Sequence, residues 1–192
     1  FGVTDVPDPL IARIAADSKY WLWINDQLVI FEGGLKRGPS PSGTYYDPVD
    51  IAPYLTKGSN TIAILLWHFG KDGFSHINSG KAALLFEVIA PGLEIVSDAS
   101  WQCALYEAYQ NTDAPFPNYR MPESNIRFDA RQAITNWNRT SFEGSLPGAV
   151  CVGKAGKAPF GDLVERPIPQ WKNSGLLSYV SVRESLRGDT LF

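Results

Sequence analysis

Apolar and polar residues alternate with a period of two over several short stretches of this chain, and helical spacing is scarce. Leu10 to Ala16 sets Leu10, Ala12, Ile14 and Ala16 on one face, which predicts a half-buried strand. Asp17-Ser18 turns the chain, Lys19 to Asn25 predicts the next strand, and Asn25-Asp26 predicts a hairpin into Gln27 to Glu32. A loop rich in glycine and proline, Gly33 to Gly43, leads to a strand over Thr44 to Val49. Asp50 to Leu55 predicts a single helical turn around Pro53, and Lys57-Gly58-Ser59-Asn60 turns the chain again. Thr61 to Phe69 is apolar on both faces until its end and predicts a central strand covered on each side. After a second long loop, Gly70 to Gly80, strands are expected over Lys81 to Ile89, Leu93 to Val96 and from about Trp101. Beyond that the pattern weakens. Gln110 to Asn125, with Pro115, Pro117 and Pro122, predicts an irregular surface excursion. Ile126 to Ala133 and Leu163 to Ile168 are candidate strands, and Trp137 to Ala149 reads as turn.

The expected fold class is all-β, an antiparallel β-sandwich over about residues 10 to 169. If successive strands alternate in direction, the connections at Asp17, Gly33–Gly43 and Gly70–Gly80 fall at one end of that sandwich. Those at Asn25, Asp50–Asn60 and Pro91 fall at the other. The two long loops therefore share an end.

Composition narrows the partners. The net charge of −3 and a pI near 5.4 argue against nucleic acid or an anionic membrane surface, and no apolar run reaches the length of a membrane span. At 192 residues the chain can bury a sizeable core without staples. Cys103 and Cys151 define neither a disulfide framework nor a metal site. Thiols are the expected state, with a bridge between them left open. The chain starts at Phe1 without a charged-then-apolar leader and ends in the polar run of Arg183, Glu184, Arg187, Gly188 and Asp189. Both ends are expected to be cuts within a longer protein.

Several motifs carry a resemblance. Tyr20-Trp21-Leu22-Trp23-Ile24-Asn25 is similar to an aromatic strand ending in Asn before a hairpin turn. Tyr46-Asp47, Val49-Asp50-Ile51, Pro53-Tyr54-Leu55 and Gly58-Ser59-Asn60 form a "YD…DI.PYL..G.N" run, followed by Ile62 to Gly70. Ser100-Trp101, Phe128-Asp129-Ala130-Arg131, Trp137 and Arg166-Pro167-Ile168-Pro169 extend the pattern. In these the chain resembles the N-terminal β-sandwich module of bacterial α-L-rhamnosidases and related glycoside hydrolases. The resemblance implies a jelly-roll, galactose-binding-domain-like sandwich. It implies an accessory module over residues 1–169, with 170–192 a linker or the start of the next domain. Its first partner would be the catalytic domain of the same polypeptide, and its second a plant or bacterial oligosaccharide. A periplasmic or extracellular setting is favoured over a cytoplasmic one. One position departs from the pattern: Asp26 stands where the family usually has Gly, which leaves the turn type open.

Such glycosidases place two carboxyl groups on opposite faces of the scissile bond, and the resemblance puts them in a separate helical barrel. No acid and base pair is readable here, so no catalytic residue is assigned. His68 and His76 are the only histidines, and without a second carboxylate or Cys at ligand spacing no metal site is assigned. No cofactor is expected, although the jelly-roll resemblance leaves room for a structural calcium. Aromatic residues are the richest signal, because sugar rings present apolar C–H faces to flat side chains. The shared loop end offers Arg37, Trp67, His68, Lys71, Asp72 and His76 as candidate ligand-binding residues, with Lys36 and Asn78 beside them. Trp21 and Trp23, on one face of their strand, offer an alternative platform. The competing reading buries those two tryptophans under the Pro-rich excursion or the next domain. Two functions therefore stand open, an accessory module packing on a catalytic domain and a carbohydrate-binding module, with an enzyme in its own right the weakest.

Overall fold

The structure, a computed structural model, describes residues 1–34, 38, 40, 42–73, 76–112, 125–178 and 180–181. Among these the chain is all-β, with no α-helix and two short 3-10 turns at Ala52–Tyr54 and Ala130–Gln132. The strands are β1 (Gly2–Val3), β2 (Ile11–Asp17), β3 (Lys19–Ile24), β4 (Gln27–Gly34), β5 (Thr44–Asp50) and β6 (Gly58–Ser59). They continue with β7 (Ile62–Trp67), β8 (Ala83–Ala90), β9 (Leu93–Val96), β10 (Tyr109–Asn111), β11 (Ile126–Phe128) and β12 (Leu163–Glu165). A five-stranded sheet runs β12-β5-β2-β8-β9 and a three-stranded sheet runs β4-β3-β7. All pairs are antiparallel except β12 beside β5.

The period-two pattern decides which side chains meet. In β2, Ala12, Ile14 and Ala16 point inward, and in β3 Tyr20, Leu22 and Ile24 do the same, all at most 2% exposed. They form one core with Val49, Phe86, Val88 and Ile95 of the larger sheet and Ile30 of the smaller. Two sheets thus face each other across a single apolar layer. Gly33 is required in β4, because a Cβ there would lie 2.3 Å from the Tyr20 ring.

Several expectations are corrected. The Thr61–Phe69 segment forms β7, which is an edge strand, while β3 is central. Ile62, Ile64 and Leu66 pack on the core, and on the opposite face Trp67 packs beside Trp21 of β3. Apolar character on both faces reports what covers a strand, not how many strands pair with it. No strand starts at Trp101. Its ring packs 5.4 Å from Phe86 and its Nε1 donates to Val96 O at 2.8 Å, so it closes the core, and pairing is confined to a bridge of Gln102 with Gly148. The strand expected to Ala133 ends at Phe128, since Asp129 accepts from Arg131 N and starts a 3-10 turn. The last strand stops at Glu165, because Arg166 turns inward and Pro167 has no N–H to donate. Most of the Pro-rich excursion, residues 113–124, lies outside the described residues. Cys103 and Cys151 are both exposed and free, so no bridge joins them.

The hairpin turn is settled by its dihedrals. Asn25 and Asp26 have φ of 47° and 70°, the pair of left-handed residues of a type I′ turn. Asp26 adopts this less readily than Gly, and its carboxylate is used elsewhere. Oδ1 accepts from Thr140 N at 2.6 Å and Oδ2 from Thr140 Oγ1 at 3.1 Å.

Candidate functional site

The turn at Asp17 and the second long loop share an end, as expected, and the first long loop leaves β4 there, where Gly34 pairs with Lys19. Ser18 N donates to Trp67 O at 3.1 Å, and Ser79 N, from the second long loop, donates to Asp17 Oδ2 at 2.6 Å. Asp17, Ser18 and His76 are all fully buried. Ser18 Oγ donates to Asp17 Oδ1 at 2.7 Å and accepts from Phe69 N at 3.1 Å. His76 Nε2 lies 3.3 Å from both Ser18 Oγ and Asp17 Oδ1, and His68 Nδ1 is 3.7 Å from the same carboxylate oxygen. A nucleophilic triad places serine and carboxylate on opposite ring nitrogens with the serine open to substrate. Here one nitrogen faces both, inside the protein, so the set ties two loops together.

This changes the standing of the loop-end residues. His76 is inside, and its ring packs edge-on to Phe69 at 5.2 Å. His68 is half-buried. Asp72 is exposed, with Oδ1 accepting from Asn78 N at 2.7 Å, which folds the loop on itself. Lys71 is exposed. Arg37 and Lys36 lie outside the described residues. The structure therefore turns both histidines toward Asp17, His76 fully buried and His68 half-buried, and leaves Lys71 and Asp72 outside.

The second candidate is the outer face of β4-β3-β7. Lys19, Trp21 and Trp23 alternate with the inward residues of β3 and line this face. Trp21 lies 6.4 Å from Trp67 with planes only 21° apart, and Phe31 meets Trp21 edge-on at 6.4 Å. Phe69 meets Trp67 edge-on at 5.1 Å. Lys19 Nζ sits 5.9 Å and 5.8 Å from the Trp67 and Phe69 centroids and pairs with Glu32 at 3.6 Å. Trp23 belongs to a different group. Trp137 covers it edge-on at 5.2 Å and Tyr106 continues the stack. The platform expected from Trp21 and Trp23 is thus divided, with Trp67 taking the place of Trp23. Lys19, Phe31, Glu32 and Phe69 were not foreseen in it. For Lys19 the period-two spacing from Trp21 was a usable signal, but the others join across strands.

The family motifs have their own geometry. Asp47 is fully buried and accepts from Tyr20 OH and Gly34 N, both at 2.8 Å, and from Arg166 Nε. Burial and the neighbouring carboxylate hold the Tyr20 phenol well above its ordinary pKa of 10.0. Asn25 donates to Tyr54 O at 2.9 Å and to Asn60 Oδ1 at 2.7 Å, joining the hairpin to the turn that follows β5. Asp50 Oδ1 accepts from Leu10 N and Ala52 N. These residues fasten loop ends, and the two buried carboxylates, Asp17 and Asp47, have both oxygens engaged internally. Among the described residues no group of three or more His, Cys, Asp or Glu is arranged to hold a metal.

Comparison of the whole fold with solved structures places it. A GH78 family rhamnosidase of Bacillus sp. GL1 superposes with a TM-score of 0.72 and 29% identity over 88% of this chain and 17% of its own. The chain matches one domain of α-L-rhamnosidases. The α-L-rhamnosidase of Dictyoglumus thermophilum gives 0.63 and 21% over 88% of this chain and 18% of its own. That of Streptomyces avermitilis, complexed with L-rhamnose, gives 0.52 and 18% over 84% and 13%. The last two carry the fold alone. The chain thus spans about a sixth of the rhamnosidase lengths it matches. No family model and no curated protein sequence matches it. Of the residues that carry the sequence resemblance, Tyr20, Asp47 and Asn60 are buried ties of the kind described above.

Proposed function

We propose that this chain is a non-catalytic accessory module of a carbohydrate-active enzyme of the α-L-rhamnosidase type, acting in support of the catalytic domain of the same polypeptide. On this reading the module is a jelly-roll of the galactose-binding type over residues 1–169, with 170–192 a linker or the start of the next domain. The observation that carries this reading is the match of 88% of the chain to 17% of the Bacillus enzyme. The chemistry of the carboxylates supports it. A glycosidase needs one carboxyl group that can give a proton to a leaving oxygen and another facing water or the anomeric carbon. Asp17 and Asp47 are buried and committed, while Asp26, Asp50, Asp72 and Asp129 hold backbone at turns.

The experiment is hydrolysis of an aryl α-L-rhamnoside by the purified 192-residue chain. No turnover is expected. Turnover abolished by a substitution within the chain would overturn the reading. A second reading, a carbohydrate-binding module, is favoured by the aromatic face of the smaller sheet. The loop-end residues Lys71, Asp72 and Arg37 are its alternative location.

A further inference from the structure

We infer that the outer face of the three-stranded sheet is a saccharide-binding surface, with Trp21 and Trp67 as the stacked pair against which a pyranose ring packs. The Lys19–Glu32 pair would be its hydroxyl-bonding rim. This deepens the carbohydrate-binding reading above by assigning it a site.

The geometry has three parts. The first is the pair of indoles, stacked at 6.4 Å with planes 21° apart, on neighbouring strands and both part-exposed. Edge contacts from Phe31 and Phe69 restrict their rotation, so the surface is set before any ligand arrives and little side-chain order is lost on binding. The second is the ion pair. Lys19 lies against the Trp67 and Phe69 rings and pairs with Glu32, with side-chain exposures of 19% and 32%. A cation and a carboxylate beside the indoles offer hydrogen-bond donors and acceptors to sugar hydroxyls. The third is what the face lacks. The centre of a protein interface is depleted of charge, Lys and Glu above all. This face instead carries a Lys–Glu pair beside its tryptophans, which suits a ligand that is apolar on one side and hydroxylated around its edge.

The same geometry excludes Trp23. Trp137 packs edge-on against it, backed by Tyr106, and that segment is anchored by Thr140 on Asp26. The site therefore extends toward Phe31, which is 41% exposed, and not toward Trp23.

The test is backbone and indole NMR of the 192-residue chain titrated with methyl α-L-rhamnopyranoside, a rhamnosyl disaccharide and cellobiose. At least one sugar is expected to give saturable shifts at Lys19, Trp21, Phe31 and Trp67, with a Kd on the order of 1 mM. Trp21→Ala should weaken that binding at least about tenfold and Trp21→Phe by less. Trp137→Ala, outside the face, should leave it unchanged. If Trp21→Ala fails to fold, Trp21→Phe and Phe31→Ala carry the test. Three results would each overturn the proposal. One is no saturable shift with any sugar up to roughly one hundred times that Kd. Another is shifts confined to Lys71–Asn78, and the third is sugar-independent broadening of the face with protein concentration, the mark of a protein-docking surface. All three leave the accessory-module reading intact, because that reading is tested by hydrolysis.

Discussion

Between Val3 and Ile95 lie all the buried apolar side chains of the described chain except Ala108 and Phe160. Residues 1–96 supply both facing sheets apart from β12. The described residues from Ser97 to Leu177 are mostly exposed turn, and their strands are three residues long. They are held at separate points. Trp101 caps the core at Phe86, Thr140 hangs on Asp26, and Trp137 covers Trp23. Phe160 enters a small cluster with Ala15 and Ala83 while its carbonyl accepts from Thr44 Oγ1 at 2.6 Å, and Arg166 reaches Asp47. One region is stable because apolar area leaves water cooperatively, and the other because individual polar groups and rings find fixed partners on it. The first should fail all at once and the second piece by piece.

The largest effect that would expose this difference is in the shared core. Phe86→Ala removes a ring 2% exposed and should cost about 3–5 kcal/mol. Denaturation followed by intrinsic fluorescence and by circular dichroism should shift together. Separate transitions would mean that the sheets do not share a cooperative core.

Arg166→Ala comes next. It leaves the Asp47 charge buried without its cation, a loss of about 3 kcal/mol. Hydrogen exchange should accelerate first at Leu163–Glu165, and uniform acceleration would show that β12 belongs to the cooperative core.

Asp26→Gly sharpens the comparison further. Glycine relieves the φ of 70° but loses both contacts to Thr140. These terms oppose each other at about 1 kcal/mol each, so global stability should move by less than about 1 kcal/mol. Trp137 fluorescence should nonetheless report a loosened segment.

The smallest effects are in pH dependence. Tyr20 is raised in the folded state, so its contribution is complete below the ordinary value of 10.0 and is lost as pH rises through the folded value. Unfolding should therefore set in above about pH 10, earlier than in Tyr20→Phe. Asp129 is half-buried, and its carboxyl is held below its ordinary 3.8 by bonds from Arg131. Its contribution is present above that value and fades as pH falls through the lowered one. An NMR titration of the Asp129 carboxyl carbon checks the direction.

Much of the first region was legible in the sequence. Alternation gave β2, β3, β4, β5, β8 and β9, and strand parity gave the loops that share an end. Those properties are local: period two fixes which face is apolar, and turn residues fix where the chain reverses. The neighbours of each strand are not local, and β7 took an edge position although its composition read as central. The site divided in the same way. Sequence placed Trp21 and Trp23 on one face, but tertiary structure covered Trp23 with Trp137 and set Trp67 and the Lys19–Glu32 pair beside Trp21. It also took His76, which looked like a loop residue for solvent, into a buried contact with Asp17 and Ser18. Asp47 and Arg166 could be read as motif positions, but not as partners 119 residues apart. By itself the sequence determined the all-β class, the strand faces and the family pattern, because these follow from residue type and short spacing. Only the tertiary structure decided which side chains are buried, paired or left on the surface. Those outcomes depend on contacts between segments far apart in the chain, whose distances no local pattern encodes.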